Sequence, residues 1–452
     1  MDRFKPLILS AALMLAALFS ACAGTGGDMG AKTENENENE SEKTVMKGLV
    51  EMDENLKGLS IGLWVTPPAH LLQTSEGIEK QYGRIKDAGM NMVWGFWDYG
   101  DRLGEVLDVC GRLGIDYIMP LPVNRNGEGD IEAEVGACKS VAEAFKGHPA
   151  VPGFNMVDEP SAAIFDRLAK VREGVDAVLP DGMYTIANLF PNYASAGQLG
   201  VKTYEEHVEQ YMAKVRPKVL SFDYYPLSTN PKTDNYRGFV ENLLVIREAS
   251  LGYGVPFWGF IQAIGYSGHR EPSYSEIRWL NNMHILFGAK GYSYFLYSAI
   301  GPDGGPENFS TAALLWDGST TSLYDTIKAI NAEFAAFDRA FIQFAQDGFI
   351  AVNMKSSVMK AFGGDLLKDG YGRLVSIETD GSMLNGCFDF GGQKAVYLFN
   401  WNMAEPIGAT LNFDGEAAYE LWGKSGLENS GTGKGLEVAL EAGEGKFLVF
   451  GK

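Results

Sequence analysis

The chain has 452 residues, with 58 acidic against 38 basic side chains and a formal net charge of −20. That length is too great for one small domain and suits a barrel of about 250 residues or more with an appendage. The acidic balance speaks against a nucleic-acid duplex or an anionic membrane surface as partner, and four cysteines without CxxC or Cys/His spacing predict neither a disulfide framework nor a zinc site.

Met1-Asp2-Arg3-Phe4-Lys5 precede an apolar run over residues 6–19 and the small residues Ser20-Ala21-Cys22. The run is too short to span a bilayer, so residues 1–21 read as an export signal. Leu18-Phe19-Ser20-Ala21-Cys22 resembles a bacterial lipobox, with Phe19 where Leu is usual. The resemblance implies cleavage before Cys22 and lipidation of Cys22. Residues 22–55 then form a lipidated and acidic tether, Gly-rich at first and then an alternating Glu-Asn tract without apolar residues to bury, which is expected to stay disordered. Such an anchor holds a soluble domain at a bacterial membrane, in the periplasm or on the cell surface, without spanning it. Without residues 1–21 the chain keeps 36 basic and 57 acidic residues.

From residue 60 onward, β-branched and aromatic runs alternate with helical ones. Strands are expected at 60–66, 91–97, 116–121, 151–157, 184–189, 219–224, 256–263 and 291–297. Helices are expected at 77–89, 104–113, 135–146, 163–178, 204–215, 238–250, 274–287 and 323–341. Ile164, Leu168, Val171 and Val175 make a 3.6-residue stripe, as do Leu323, Ile327, Ile330, Phe334 and Phe337. Strands joined by crossover helices must run parallel, and eight pairs point to a closed (β/α)8 TIM barrel over residues 56–343. The turn after the first strand, Thr66-Pro67-Pro68-Ala69-His70, lacks the glycines of a dinucleotide site, and no cofactor is expected. Beyond residue 344 short alternating segments separated by Gly, Asp and Asn predict a small C-terminal antiparallel β-sandwich over 344–452.

A barrel of this kind places its site at the carboxyl ends of the strands. There the sequence puts Trp94, Trp97 and Asp98 after strand two and Asp158, Glu159 and Pro160 after strand four. Asn188 and Asn192 follow strand five, Asp223 and Tyr225 strand six, Trp258 and Gln262 lie on strand seven, and Tyr297 follows strand eight. Flat aromatic faces stack on sugar C–H faces, and amides and carboxylates bind hydroxyls, so these residues are candidates for holding a carbohydrate. About half of the aromatics are expected to plug the barrel instead. Five histidines show no HExxH spacing, which disfavours a metal mechanism; His70 and His269 fall in loops on the rim, His207 and His284 within helices. No Gly-x-Ser-x-Gly elbow occurs at a strand-to-helix turn.

The sharpest signal is Gly153-Phe154-Asn155-Met156-Val157-Asp158-Glu159-Pro160, an apolar strand ending in two carboxylates. Adjacent acids in a pocket repel each other and lose solvation, which raises a pKa and suits a general acid. The stretch resembles the strand-four motif of clan A glycoside hydrolases, in which Asn-Glu-Pro supplies the acid/base glutamate. Residues 60–341, including His148-Pro149-Ala150, Asn188-Leu189-Phe190-Pro191-Asn192-Tyr193 and Ser221-Phe222-Asp223-Tyr224-Tyr225-Pro226, are similar to bacterial family-42-like glycosidases. The resemblance implies that Glu159 is the acid, with Asp158 in the asparagine's place. It also implies a nucleophilic glutamate on strand seven, where this chain has Gln262, and an amide cannot serve.

Three arrangements fit that departure. In an inverting enzyme a second carboxylate holds water ~6.5–9.5 Å from the acid; Asp223 is the first candidate, Glu271 and Asp98 the next. In a retaining enzyme a shifted carboxylate stands ~5–5.5 Å away. In the third, the barrel is a surface lipoprotein that binds glycans without cleaving them.

Overall fold

A computed structural model describes residues 48–50, 56–95, 100–303, 309–368 and 370–451. Cys22 and most of its tether, and Trp97 and Asp98, lie outside the described residues. The alternation read from the sequence is present as eight strands: β1 (Ser60–Leu63), β2 (Met92–Trp94), β3 (Asp116–Pro120), β4 (Gly153–Asp158), β5 (Tyr184–Leu189), β6 (Leu220–Phe222), β7 (Phe257–Gln262) and β8 (Gly291–Phe295). They pair in chain order, all parallel, and β8 returns to β1 with Tyr294 opposite Leu63, so the barrel closes.

The crossover helices are α1 (Ser75–Asp87), α2 (Leu103–Leu113), α3 (Ile131–Phe145), α4 (Phe165–Asp176), α5 (Tyr204–Val215), α6 (Tyr236–Tyr253), α7 (Tyr274–Leu286) and α8 (Ser322–Ala335). Their starts follow capping chemistry. Thr74 accepts from the Gly77 amide before α1, Asp130 from Glu132 before α3, and Ser273 with Glu276 forms a capping box on α7. Each helix then buries one stripe against the strands, such as Leu168, Val171 and Val175 in α4 and Ile327, Ile330 and Phe334 in α8. Cys110 and Cys138 are buried on α2 and α3.

Inside the barrel Met92, Trp94, Ile118, Ile186, Trp258 and Phe260 form a packed cluster, so the interior is filled rather than open. Between strands and helices lies the outer core. Gly259 there marks a close approach: a Cβ at that position would fall 2.2 Å from the His284 ring of α7. His284 stacks on Phe222 with ring centres 5.8 Å apart, and burial lowers its pKa to about 4, so it is a neutral packing residue.

The C-terminal strands β9 (Ala345–Val352), β10 (Leu374–Glu378), β11 (Met383–Phe390), β12 (Gln393–Phe399), β13 (Ile407–Gly423), β14 (Gly426–Leu440) and β15 (Gly445–Phe450) form one antiparallel sheet in the order β10-β13-β15-β12-β11-β9, with β14 paired to β13. Period-two alternation divides its side chains. Val396, Leu398, Leu448 and Phe450 enter a core belonging to the sheet, while Tyr397, Phe399, Phe447 and Val449 join the barrel's core. Phe341 meets Phe447 edge-on at 5.5 Å, and Trp279 of α7 meets Phe399 at 6.1 Å. At the same seam Arg278, 2% exposed, pairs with Glu333 at 2.7 Å, Glu441 at 3.0 Å and Glu444 at 3.3 Å, so the buried cation is compensated. Residues 49–452 accordingly cluster as one unit.

Candidate active site

Strand β4 delivers the two carboxylates. A register shift between Asn155 and Val157 in its pairing with β5 sets Asp158 opposite Asn188. The next residue, Glu159, donates its amide to the Asn188 carbonyl at 2.8 Å but takes φ +49°. A side chain in this left-handed region costs of order 1–3 kcal/mol and persists where the surroundings enforce it, commonly at functional sites. On a regular strand consecutive side chains point to opposite faces. The left-handed step at Glu159 breaks that alternation at the strand's end.

Strand β5 supplies the connector. Asn188 is 3% exposed, and its side-chain Oδ1 accepts from the Ser221 hydroxyl at 2.9 Å. That bond fixes which way the amide points, and its Nδ2 donates to Asp158 Oδ1 at 3.3 Å and to Asp223 Oδ1 at 3.4 Å. Asp223, just past β6, is 8% exposed. One amide thus joins carboxylates from two strands that are not neighbours, and the two oxygens lie within about twice a hydrogen-bond length of each other.

The electrostatics follow from this crowding. Burial raises the Asp158 pKa to about 6, opposed by the Asn188 bond and by the charge of Arg125. Asp223 is pushed well above the usual carboxylate range by burial first, then by the charges of Glu159 and Asp158. The cluster therefore retains a proton at pH values where isolated carboxylates have lost theirs, which is what proton donation to a leaving group requires.

The remaining candidates separate. Tyr225 stands at the rim beside the cluster, 4.9 Å from Phe295 and edge-on to Tyr266 at 5.7 Å. Trp94 is fully buried, donates to Ser293 Oγ at 2.8 Å and packs on Trp64, Trp258 and Phe260. Trp258, opposite Gly291 at the first residue of β8, lies deep in the barrel against Tyr184. Tyr297 is fully buried in the outer core. Asn192 moors the loop after β5 to α6: its backbone N–H donates to Asn242 Oδ1 at 2.7 Å and its side-chain amide to the Gly238 carbonyl at 3.0 Å.

Gln262 is fully buried and its amide is consumed by backbone groups. Oε1 accepts from Leu227 N at 3.0 Å, and Nε2 donates to the carbonyls of Leu227 and Arg270, both at 3.0 Å. The residue ties the loop after β6 to the loop after β7. Those loops carry Tyr224, from the strand-six motif, and the ring of His269, expected on the rim, and both flank a pocket beside Tyr225. The sequence signal for that pocket is the tight turn Tyr266-Ser267-Gly268-His269, in which Ser267 and Gly268 have φ of +31° and +93°.

No protein-family model matches the chain, and no curated protein matches it. Among solved structures it is similar to a family 5 glycoside hydrolase from Bacteroides vulgatus, with 11% identity, 87% of this chain and 89% of that one covered, and a TM-score of 0.53. It is also similar to a family 39 glycoside hydrolase from Bacteroides cellulosilyticus, with 13% identity, 87% and 81% covered and a TM-score of 0.49. A β-galactosidase from Marinomonas ef1 matches with 12% identity, 65% of this chain covered and a TM-score of 0.48, and the match spans 63% of that protein's length. The likeness to the family 5 structure concerns the fold, here a closed eight-stranded parallel barrel with an antiparallel sheet beside it.

Proposed function

We propose that this chain is a glycoside hydrolase acting on a neutral oligo- or polysaccharide, with Glu159 as general acid and Asp223 as the partner carboxylate of an inverting reaction. The observation that supports the reading is the cluster at the carboxyl rim. Glu159 and Asp158 from β4 and Asp223 beyond β6 act on one another electrostatically, and Asn188 holds two of them in place. Glu159 protonates the glycosidic oxygen while Asp223 takes a proton from the attacking water, and Tyr225 offers a face to the sugar. The consumption of Gln262 by backbone bonds leaves β7 without a nucleophile at its end. The lipobox resemblance and the acidic tether support anchoring through Cys22, which a membrane-release assay of Cys22→Ser tests.

Leaving-group dependence tests the roles. Glu159→Gln is expected to lose hydrolysis of natural glycans but to keep much of its rate on aryl glycosides whose phenol leaves without protonation. Asp223→Asn is expected to lose both and to recover with added azide. The raised pKa of Asp223 favours a second reading in which the two exchange roles, and the opposite pattern of rescue would establish it. Glycan binding with no product from any substrate would replace hydrolysis by a binding function, for which Gln262 is the feature in favour.

A further inference from the structure

Next to the carboxylates lies a pocket of about 250 Å³, walled by Tyr193, Tyr225, Ser228, Thr233 and His269. Its walls belong to separate loops that are clamped together. Thr229 N donates to the Gly268 carbonyl at 2.9 Å. Arg270 grips Asp234 with two bonds, of 2.6 and 3.0 Å, while donating to the Ser228 carbonyl at 2.8 Å. Gln262 adds its own bonds to Leu227 and Arg270. The turn that carries His269 is closed by reciprocal backbone bonds with Tyr266 of 3.1 and 2.6 Å, and the imidazole stacks on the Tyr266 ring at 4.7 Å and stands edge-on to Tyr225 at 6.2 Å. A ring so held is positioned before any ligand arrives.

The pocket adjoins the acid cluster. Tyr225 follows Asp223 by two residues, and after burial the charges of Asp223 and Asp158 act on its hydroxyl, as those of Asp223 and Glu159 act on Tyr193. Its volume falls below the ~300–1,000 Å³ of pockets that take drug-sized ligands and matches the size of one sugar ring. Aromatic rings beside neutral donors and acceptors suit a sugar's C–H faces and hydroxyls, and the negative charge that the proton-sharing acid cluster still carries disfavours an anionic sugar. Burial lowers the His269 pKa against the pull of the Leu227 backbone, which keeps the imidazole neutral and able both to donate and to accept near neutral pH.

The geometry points to a subsite for a single terminal neutral pyranose ring, with His269 as its positioning residue, so that the chain removes monosaccharides from glycan ends. This rests on the glycosidase reading above. The test is saturation-transfer NMR and calorimetry with methyl pyranosides of neutral hexoses and pentoses and with methyl glucuronide. The proteins compared are the native chain, His269→Ala, His269→Gln and Tyr193→Ala, the last at an exposed site where folding is not at stake. Neutral pyranosides are expected to bind the native chain and to bind His269→Ala and Tyr193→Ala at least ten-fold more weakly, with partial rescue in His269→Gln and no binding of the glucuronide. In hydrolysis His269→Ala should raise KM about ten-fold and leave kcat within about three-fold. No binding of any neutral pyranoside to the native chain, or equal binding to all variants, overturns the subsite. Release of oligosaccharides without monosaccharide overturns it while Glu159 keeps its role. Pyranoside binding that depends on His269, with no hydrolysis of any glycan, instead overturns the glycosidase reading and leaves the subsite standing.

Discussion

The ends of β4 and β7 occupy equivalent places on the barrel rim, yet they are built to opposite purposes. At β4 the chain leaves Asp158 and Glu159 half-buried, gives Glu159 a left-handed backbone and sets both carboxylates where their charges raise the pKa of Asp223. At β7 it buries Gln262 completely and uses every bond of its amide on the backbone of two loops. The first end stores unfavourable energy and the second spends none. The contrast teaches that a strand-end position on this fold is an opportunity for chemistry and no more, since the surrounding loops decide whether the side chain meets a ligand or holds the rim together.

The largest effect should come from the β4 end. Glu159→Gln is expected to lower kcat on natural glycans by ~10²–10⁴-fold, the usual contribution of a positioned general acid, with the melting temperature little changed. Full activity in that variant would erase the contrast. Gln262→Ala should do the reverse and lower stability first. It strands the Leu227 N–H and two carbonyls in a buried site, which costs about 3 kcal/mol by urea unfolding. Gln262→Glu should also destabilise and gain no activity, because a carboxylate accepts only and two of the three partners are carbonyl oxygens. A gain of hydrolysis there would show that β7 is a vacant catalytic position after all.

How much of this was legible in the sequence follows from the range of the interactions involved. Strand and helix alternation is local, so the eight pairs and the antiparallel tail could be read, although β6 is shorter than the expected 219–224. The tail's long hairpin of β13 and β14 was not legible from short alternating segments, because glycines and register shifts near Asn412 and Leu421 interrupt its alternation. The strand-end rule sufficed to set Asp158, Glu159 and Asp223 on one rim. It did not give the depth of a side chain within the barrel, which depends on strand stagger: Trp94 and Trp258 lie in the packed interior although both belong to strands that reach the rim. Nor could it give the partners of Gln262 and Asn192, which come from Leu227, Gly238 and Asn242, distant in the chain.

Glycine at position 159 sharpens the comparison from the side of stability. Glycine adopts φ +49° without steric cost, so Glu159→Gly should stabilise the fold by about 1 kcal/mol after the added freedom of the unfolded chain is set against the relieved strain. Activity on natural glycans should fall with it. A variant less stable than the native chain would mean that the left-handed turn stores no strain.

The smallest effect is a slope with pH. Asp158 has a pKa of about 6 in the folded chain against 3.8 for a free side chain, and burial is the cause. Between those values the folded state holds a proton that the unfolded state has released, so this group's contribution to stability is complete below pH ~4 and is lost as the pH rises towards 6. Asp223 acts in the same direction. Asp158→Asn keeps an oxygen to accept from Asn188 and removes both its own titration and one of the charges that raise Asp223. Its melting temperature should therefore fall less than the native chain's between pH 4 and 6, and it should be the more stable protein at pH 7. Identical slopes for the two would mean that the β4 carboxylates bear no cost of burial, and the difference between the two strand ends would reduce to hydrogen bonding alone.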